Sequence, residues 1–541
     1  MHRWHFQRLF RWFIPVFFFA VALCVVIARQ KSSGVGLSFQ DDGVYADFAV
    51  ARNVVENQVY ALHPDQAAPG VRNVLWRFLL AAIMLVSGGE REAAYILGAV
   101  FSLLTILLCL RLSHLLFPFP PFIIYAAVLL ILAPSFLLTA MDRPSLSMLT
   151  AILTAACLFH VEGLTERRSP LPMRSAVLVG LLAMNHLEFL IVWIVFFIHA
   201  LVMNLFGRER SNSAAFVVTR ALTGVFIIVL CLFPLIAWNL SVIQVPWPQV
   251  VGAPFVMDCW VSEGPLAAIQ SYFSSVREGM VTAVSLLYGT PFLSGPFERI
   301  LLWFGVLSIT GLAIWRPEER PYTLLLFLLL LMPLSYALIY PSLGWGAALP
   351  VYSSMTPLFV VAAAFGIFRV PFLVEGLYRK WKQGLPAAYG FSAWWIAMGS
   401  ILLLVCLIRS GSLFKERNKS LSGQLEARSA VSDAIDSGAI KGKWVVTDQP
   451  GWIAYRHRTR VLDLTGEFSP QVLACLDGKG GLDASELGVY LAGEKPDSMV
   501  LWTPESEAIS SLVPCEPVVR DSARPAPEWP KICAVSNFGA F

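Results

Sequence analysis

Apolar positions in this chain come in runs too long for the core of a soluble domain. Crossing the hydrocarbon of a bilayer takes about 20 residues of helix at about 1.5 Å each. Runs of that character lie at 12–28, 93–112, 120–139, 146–161, 175–190, 191–206, 216–238, 298–315, 322–340, 351–369 and 391–408, which predicts an α-helical polytopic membrane protein with about 11 spans. The shorter run 74–87 carries Arg77 and reads either as a further span or as a helix lying in the interface. Charge separates the two, because Lys and Arg collect in cytoplasmic loops. With 74–87 lying flat, the basic segments ERRSPLPMR (166–174), GRER (207–210), RPEER (316–320) and YRKWKQG (378–384) all share the side of the N-terminus. With 74–87 spanning, all of them fall outside. The expected topology is therefore about 11 spans with an amphipathic juxtamembrane helix at 74–87 and a cytoplasmic N-terminus. The basic head MHRWHFQR and the apolar run after it, which lacks a small-residue cleavage site, read as an uncleaved signal anchor.

From Ser410 the pattern changes to that of ordinary soluble protein. KWVVTD, TRVLDL and DSMVLW read as strands and 420–438 and 468–476 as helices, a small α/β domain. The organisation expected is a membrane domain over 1–408, with a first outer loop 29–92 and a long outer loop 239–297, followed by an extracytoplasmic domain over 409–541. The location expected is the bacterial plasma (inner) membrane. No internal repeat is visible, which weakens an inverted-repeat transporter reading.

Composition agrees and removes other classes. Of 541 residues, 57% are hydrophobic and 14% charged, with mean hydropathy +0.66. The net charge of +4 fits cytoplasmic loops and provides no basic domain for nucleic acid. Nine cysteines show no CxxC spacing, and Cys24, Cys109, Cys157, Cys231 and Cys406 lie inside apolar runs as small core residues. Cys515 and Cys533 either form a disulfide in an oxidising compartment or remain thiols beside Cys475.

Candidate chemistry begins in LSFQDDGVYADFAVARNVVENQVY, where Asp41, Asp42 and Asp47 lie close together near the bilayer. Carboxylates beside hydrocarbon are costly unless solvated, paired or bound to something. The expected topology brings Asp41, Asp42, Asp142 of TAMDRPS and Glu188 of MNHLEF to one outer layer. Taken singly, Asp47 reads as a solvated or helix-capping acid, Asp142 as a partner of Arg143, and Glu188 as a partner of His186. Adjacent Asp41 and Asp42 need more: a cation, an arginine or a polar substrate. Arg52, Arg72 and Arg143 suit phosphate oxygens, and each suits an acid equally well. Tyr45, Tyr60, Trp76, Trp247, Trp260, Tyr272, Tyr340, Trp345 and Tyr352 read chiefly as an interfacial belt, with a minority left to stack on sugar. These parts suit a reaction between a lipid-phosphate donor and a polar acceptor: a carboxylate to deprotonate a hydroxyl, a cation for the leaving phosphate, and an apolar groove for the tail.

The segment QDDGVYADFAVARNVVENQVYALHP, continued by PGVRNVLWRFLLAA, resembles the first outer loop of GT-C glycosyltransferases that use polyprenyl-phosphate sugars, closest to the terminal arabinofuranosyltransferase-like members. Asp41, Asp42, Tyr45, Ala51, Arg52, Asn53, Pro64, Gly70, Asn73, Leu75 and Trp76 match that pattern in order. LLTAMDRPSLSMLTAIL is similar to a GLET-like motif, with Asp142 at its second acidic position and Arg143 and Pro144 departing from it. GLLAMNHLEFLI is similar to an LTRPEG-like turn, with Glu188 matching and His186 replacing the arginine. VVTDQPGWIAYRHRTRVLDLTGEFSP and YLAGEKPDSMVLW resemble the soluble domain of the same proteins, while a family arginine at the start of a late helix is absent around Val351 and Tyr352.

The resemblance implies a GT-C fold and transfer of arabinofuranose or a mannose-like sugar to a glycan, lipid or protein acceptor. It implies Asp41 as general base or acceptor-positioning acid, Asp42 and Asp142 as further acids, and Tyr45, Arg52, Arg72, Asn73, Trp76, Arg143, His186 and Glu188 around the substrates. Some members hold a divalent metal between such acids and others do without; if one is held by Asp41, Asp42 and Asp142, Mg or Ca suits the oxygens. A nucleotide-sugar site is not expected, since no GxGxxG is present. Two other classes stay open: a transporter or flippase for a lipid-linked saccharide, and an assembly factor binding through 410–541.

Overall fold

The structure is a computed structural model; it describes residues 38–39, 41–65, 67–68, 72–87, 90–116, 140–165, 171–206, 213–244, 388–438, 444–464, 484–494, 496–502, 515–517 and 531–534, with scattered positions elsewhere. The expected loop 239–297, apart from its first residues, most of the runs 120–139, 298–315 and 322–340, and parts of the runs 12–28 and 351–369 lie outside the described residues.

The first loop is built rather than extended. Asp41 caps helix α1 (Asp42–Asn57) by accepting the Gly43 N–H at 3.1 Å, and Gln58 ends it in the left-handed region at φ 58°. Asn53 then turns the chain back, donating through Nδ2 to the carbonyls of Ala61 and Leu62 at 2.9 and 2.8 Å. Helix α2 (Val74–Ser87) follows as expected; its 14 residues span roughly 21 Å, short of a bilayer core. Its face at Val74, Arg77 and Ala81 is buried, and Phe78, Leu85 and Val86 are left outside.

The expected exposure of Asp47 is corrected here. Its side chain is 1% exposed and takes the Arg77 Nε–H at 2.7 Å, while Arg77 also donates to the Tyr60 hydroxyl at 2.8 Å. α1 and α2 are joined by a buried charge pair.

Helices α3 (Glu90–Leu116) and α4 (Pro144–Thr165) carry the runs 93–112 and 146–161 and are long and apolar enough to span. The run 175–190 is not one helix. α5 (Met173–Ala183) has 11 residues and stops where Asn185 turns its groups elsewhere, its backbone carbonyl accepting Asn73 N–H at 3.1 Å and its Oδ1 accepting Trp76 N–H at 3.3 Å. A short 3-10 turn at Leu187–Phe189 leads into α6 (Leu190–Phe206), and α7 (Ala214–Ile243) runs five residues past its expected end at 238. α7 leaves Leu222, Phe226, Leu230 and Phe233 exposed at helical spacing, as a lipid-facing side requires.

Helix α8 (Ala388–Asp436) joins what the sequence separates. Its 49 residues, roughly 74 Å, take the run 391–408 and the helix expected at 420–438 in one piece, so the expected boundary at 408 is crossed without a break. Beyond it the expected strands form: β1 (Trp444–Thr447), then helix α9 (Pro450–His457) and β2 (Arg460–Asp463). After these come α10 (Ala484–Glu494), β3 (Ser498–Leu501), β4 (Cys515–Pro517) and β5 (Lys531–Ala534). The sheet order is β2-β1-β3-β5-β4, with β1 parallel to β2 and β3, and β5 antiparallel to β3 and β4. Val445 and Val446 of its centre are fully buried on opposite faces. The helix expected at 468–476 lies mostly outside the described residues.

Register speaks to the cysteines. Cys515 and Cys533 are direct partners across β4 and β5, and opposite antiparallel residues sit at Cα separations of about 4.5–5.5 Å, inside the range a disulfide bridges. We expect the intact mass of protein from an oxidising compartment to rise by two hydrogens on reduction, with both cysteines blocked to alkylation beforehand.

Candidate active site

The site residues expected from the sequence fall into three groups. The first gathers around the start of α1 and of α4. Asp41 forms an ion pair with Arg143, Nε to carboxylate oxygen 2.8 Å, while it caps α1, and Asp142 accepts two hydrogen bonds from Arg417 of α8, the one from Nε at 2.6 Å. Arg143 thus pairs with Asp41 rather than with its neighbour Asp142. Guanidinium and carboxylate alternate along a row: Arg417, Asp142, Arg143, Asp41. The row has an inner and an outer end: the Arg417 and Asp142 side chains are 4% and 15% exposed, those of Arg143 and Asp41 36% and 33%. Burial pushes the Asp142 carboxyl above its ordinary value, while the Arg417 guanidinium, and then that of Arg143, pull it back.

The second group has been drawn into a dock for the C-terminal unit. Asp42, half-buried, accepts the N–H groups of Gly451 and Trp452 at 2.7 and 2.8 Å, so it caps α9 from another part of the chain. Arg52 donates to the carbonyls of Tyr455 and Ala454 at 3.0 and 3.3 Å, at the other end of α9. A carboxylate at the N-terminus and a guanidinium at the C-terminus both match the helix dipole. Burial pushes the Asp42 carboxyl up to about 6, against the pull of Arg428 and the two N–H groups. Tyr45 is fully buried in the same contact, its hydroxyl accepting Phe39 N–H at 3.2 Å, with Trp452 edge-on at 4.9 Å and Arg428 4.8 Å from its ring centre. As placed, Tyr45 and Arg52 do not offer a face to substrate.

The approach of α9 to α1 depends on Gly451. A Cβ there would press into the Asp42 carbonyl oxygen and lie 2.6 Å from the Ala46 nitrogen, both backbone atoms. Gly451→Ala is expected to loosen the dock by about 1–3 kcal/mol, seen as faster release of a C-terminal fragment in limited proteolysis.

The third group is Arg72, Asn73, Trp76, His186 and Glu188. Asn73, at φ 54°, brings the loop against Asn185, and His186 Nδ1 lies 3.8 Å from Glu188, too far for a hydrogen bond. Arg72 is near enough to act on the charge of Glu188. Trp76 is fully enclosed. Among the described residues no hydrogen bond or ion pair joins this group to the row at Asp41. Beside it, Val54, Tyr60, Val74, Phe78, Met184, Leu235 and Trp238 line an apolar cleft of about 450 Å³ between α1, α2 and α7.

A metal held by Asp41, Asp42 and Asp142 does not fit this arrangement. Asp42 is turned to α9, and Asp41 and Asp142 are each met by a guanidinium; among the described residues no three His, Cys, Asp or Glu side chains gather in a metal-binding group.

Arg417 and Arg428 are absent from the set expected from the sequence. Arg428 lies in the stretch 420–438 expected as a helix and Arg417 just before it, and their one signal is spacing: 11 residues make three turns of a continuous helix and bring both to the same face. Both are buried, and Arg428 donates to the Phe39 carbonyl at 2.8 Å.

No protein-family model and no curated protein matches the chain. Solved structures do. ArnT from Cupriavidus metallidurans bound to undecaprenyl phosphate matches with a TM-score of 0.52 at 13% identity over 97% of this chain and 98% of its own. The same protein in the apo state gives 0.54 at 14% identity over 96% and 97%. The Archaeoglobus fulgidus oligosaccharyltransferase in its apo form gives 0.50 at 12% identity, over 92% of this chain and 71% of that one. The chain shares the fold of these proteins over nearly its whole length.

Proposed function

We propose that the protein is a membrane glycosyltransferase that moves a sugar from a polyprenyl-phosphate donor to a glycan, lipid or protein acceptor at the outer face of the bacterial inner membrane. The observation that carries this is the meeting of Asp41 with Arg143, and through it Asp142, at the half-exposed end of a charge row. A neighbour of the same fold is described as bound to undecaprenyl phosphate, which supports a lipid-linked donor.

In this reading Asp41 takes the proton from the acceptor hydroxyl. The hydroxyl oxygen bonds to the anomeric carbon as the bond from that carbon to the phosphate oxygen breaks. Arg143 meets the charge left on the phosphate, and the apolar cleft receives part of the lipid tail. Asp142 is the second acid, and the C-terminal unit roofs the site from the extracytoplasmic side. Arabinofuranose comes first among the sugars on the strength of the first-loop pattern, and a mannose-like sugar second.

A transporter would want acids in helix interiors. Within the spans, His160 and His199 bond to each other and His199 to Thr323, each at 3.0 Å, which ties helices together. The test is incubation of purified protein with a panel of synthetic polyprenyl-phosphate sugars and candidate acceptors, reading released lipid phosphate by mass spectrometry. Release with one donor supports transfer; movement of intact donor across vesicles without release overturns it.

A further inference from the structure

Arg143 sits between two acids and, among the described residues, has one close carboxylate partner, Asp41 at 2.8 Å. Its neighbour Asp142 is the simpler partner by proximity along the chain, and the pairing is different because Asp142 is already engaged. Arg417 meets both carboxylate oxygens of Asp142 from the buried side. Such a two-pronged match fixes the orientation of the carboxylate as well as its charge.

The position of Arg417 is set by α8, and α8 is fixed three turns further on. There Arg428 is held by the Phe39 carbonyl and lies 4.8 Å from the Tyr45 ring centre and 5.7 Å from that of Trp452. The acids at the start of α1 and α4 are therefore referenced to one continuous helix that also leads into the sheet.

Resting on the reading of the site as a sugar transferase, we propose that Arg417 is a positioning residue: by holding Asp142 it keeps Arg143 for Asp41 and for the donor phosphate. Without it, Asp142 is free to capture Arg143, and the outer end of the row loses its cation. Arg417 itself stays behind Asp142 and touches no substrate.

The experiment uses the full-length protein and begins with the wild type. Donor and acceptor KM and kcat are compared for wild type, Arg417→Ala and Arg417→Lys, with thermal unfolding of each. In Arg417→Ala the donor KM is expected to rise about tenfold or more, the scale of one lost charge-assisted hydrogen bond, with acceptor KM unchanged. Arg417→Lys is expected to fall between, and millimolar guanidinium to recover part of the loss in Arg417→Ala. Unchanged donor KM in both variants, or a fall in kcat alone that guanidinium does not relieve, overturns the proposal and leaves the transferase reading intact. Absence of transfer by the wild type with every donor overturns both.

Discussion

Asp41→Asn is expected to lower sugar transfer by about 10²- to 10⁴-fold, the usual weight of a general base, in a protein that still inserts and folds. The separation of activity from stability follows from where Asp41 stands. Its structural duty is to cap α1 through the Gly43 N–H, and asparagine caps a helix about as well as aspartate. Its pairing with Arg143 is about one-third exposed, and pairs of that kind contribute up to about 1 kcal/mol. What asparagine removes is the ability to take a proton. Asp142→Asn is expected to lower transfer strongly as well, with a larger loss of stability, because it leaves the buried Arg417 facing a neutral amide. Released lipid phosphate is the measurement, with unfolding in detergent beside it; wild-type turnover in both variants would falsify the role given to these acids.

The largest effect on stability is expected at Arg77. Arg77→Ala leaves Asp47, 1% exposed, without the guanidinium 2.7 Å away. Removing one side of a buried pair costs about 3–5 kcal/mol, whereas replacing both sides by apolar groups is often close to neutral. The pair joins α1 to α2, and Arg77 also holds the Tyr60 hydroxyl and lies 4.8 Å from the centre of the Phe468 ring. Arg77→Ala should therefore lower the unfolding temperature clearly, and Arg77→Met with Asp47→Leu should recover much of it. A double variant as unstable as the single one would show that charge pairing is not the issue at this contact.

The two predictions differ in how far the sequence reached. Asp41 stood out because neighbouring carboxylates beside an apolar slab need a reason. Asp47 looked ordinary, and only the fold shows that Arg77 of the next helix is aimed at it. The same holds for the arginines: Arg143 was in view as a neighbour of Asp142, but its partner is Asp41, since Arg417 arrives from 275 residues further along. Asn185 ends the helix expected at 175–190 because the loop at Asn73 and Trp76 uses its polar groups, which no periodicity reports.

Hydrophobic runs and charge spacing along the chain were enough to establish apolar helices long enough to span a membrane, the short helix at 74–87, the strands around Val445, Val461 and Val500, and a first loop in which Asp41, Asp42 and Asp47 lie close together. These are local properties, set by length, period and the cost of burying charge. Which guanidinium serves which carboxylate, and the use of Asp42 and Arg52 to grip the two ends of α9, were decided by the tertiary structure alone. An ion pair takes its energy from separation in space, and residues that lie hundreds of positions apart acquire a separation only once the chain has folded.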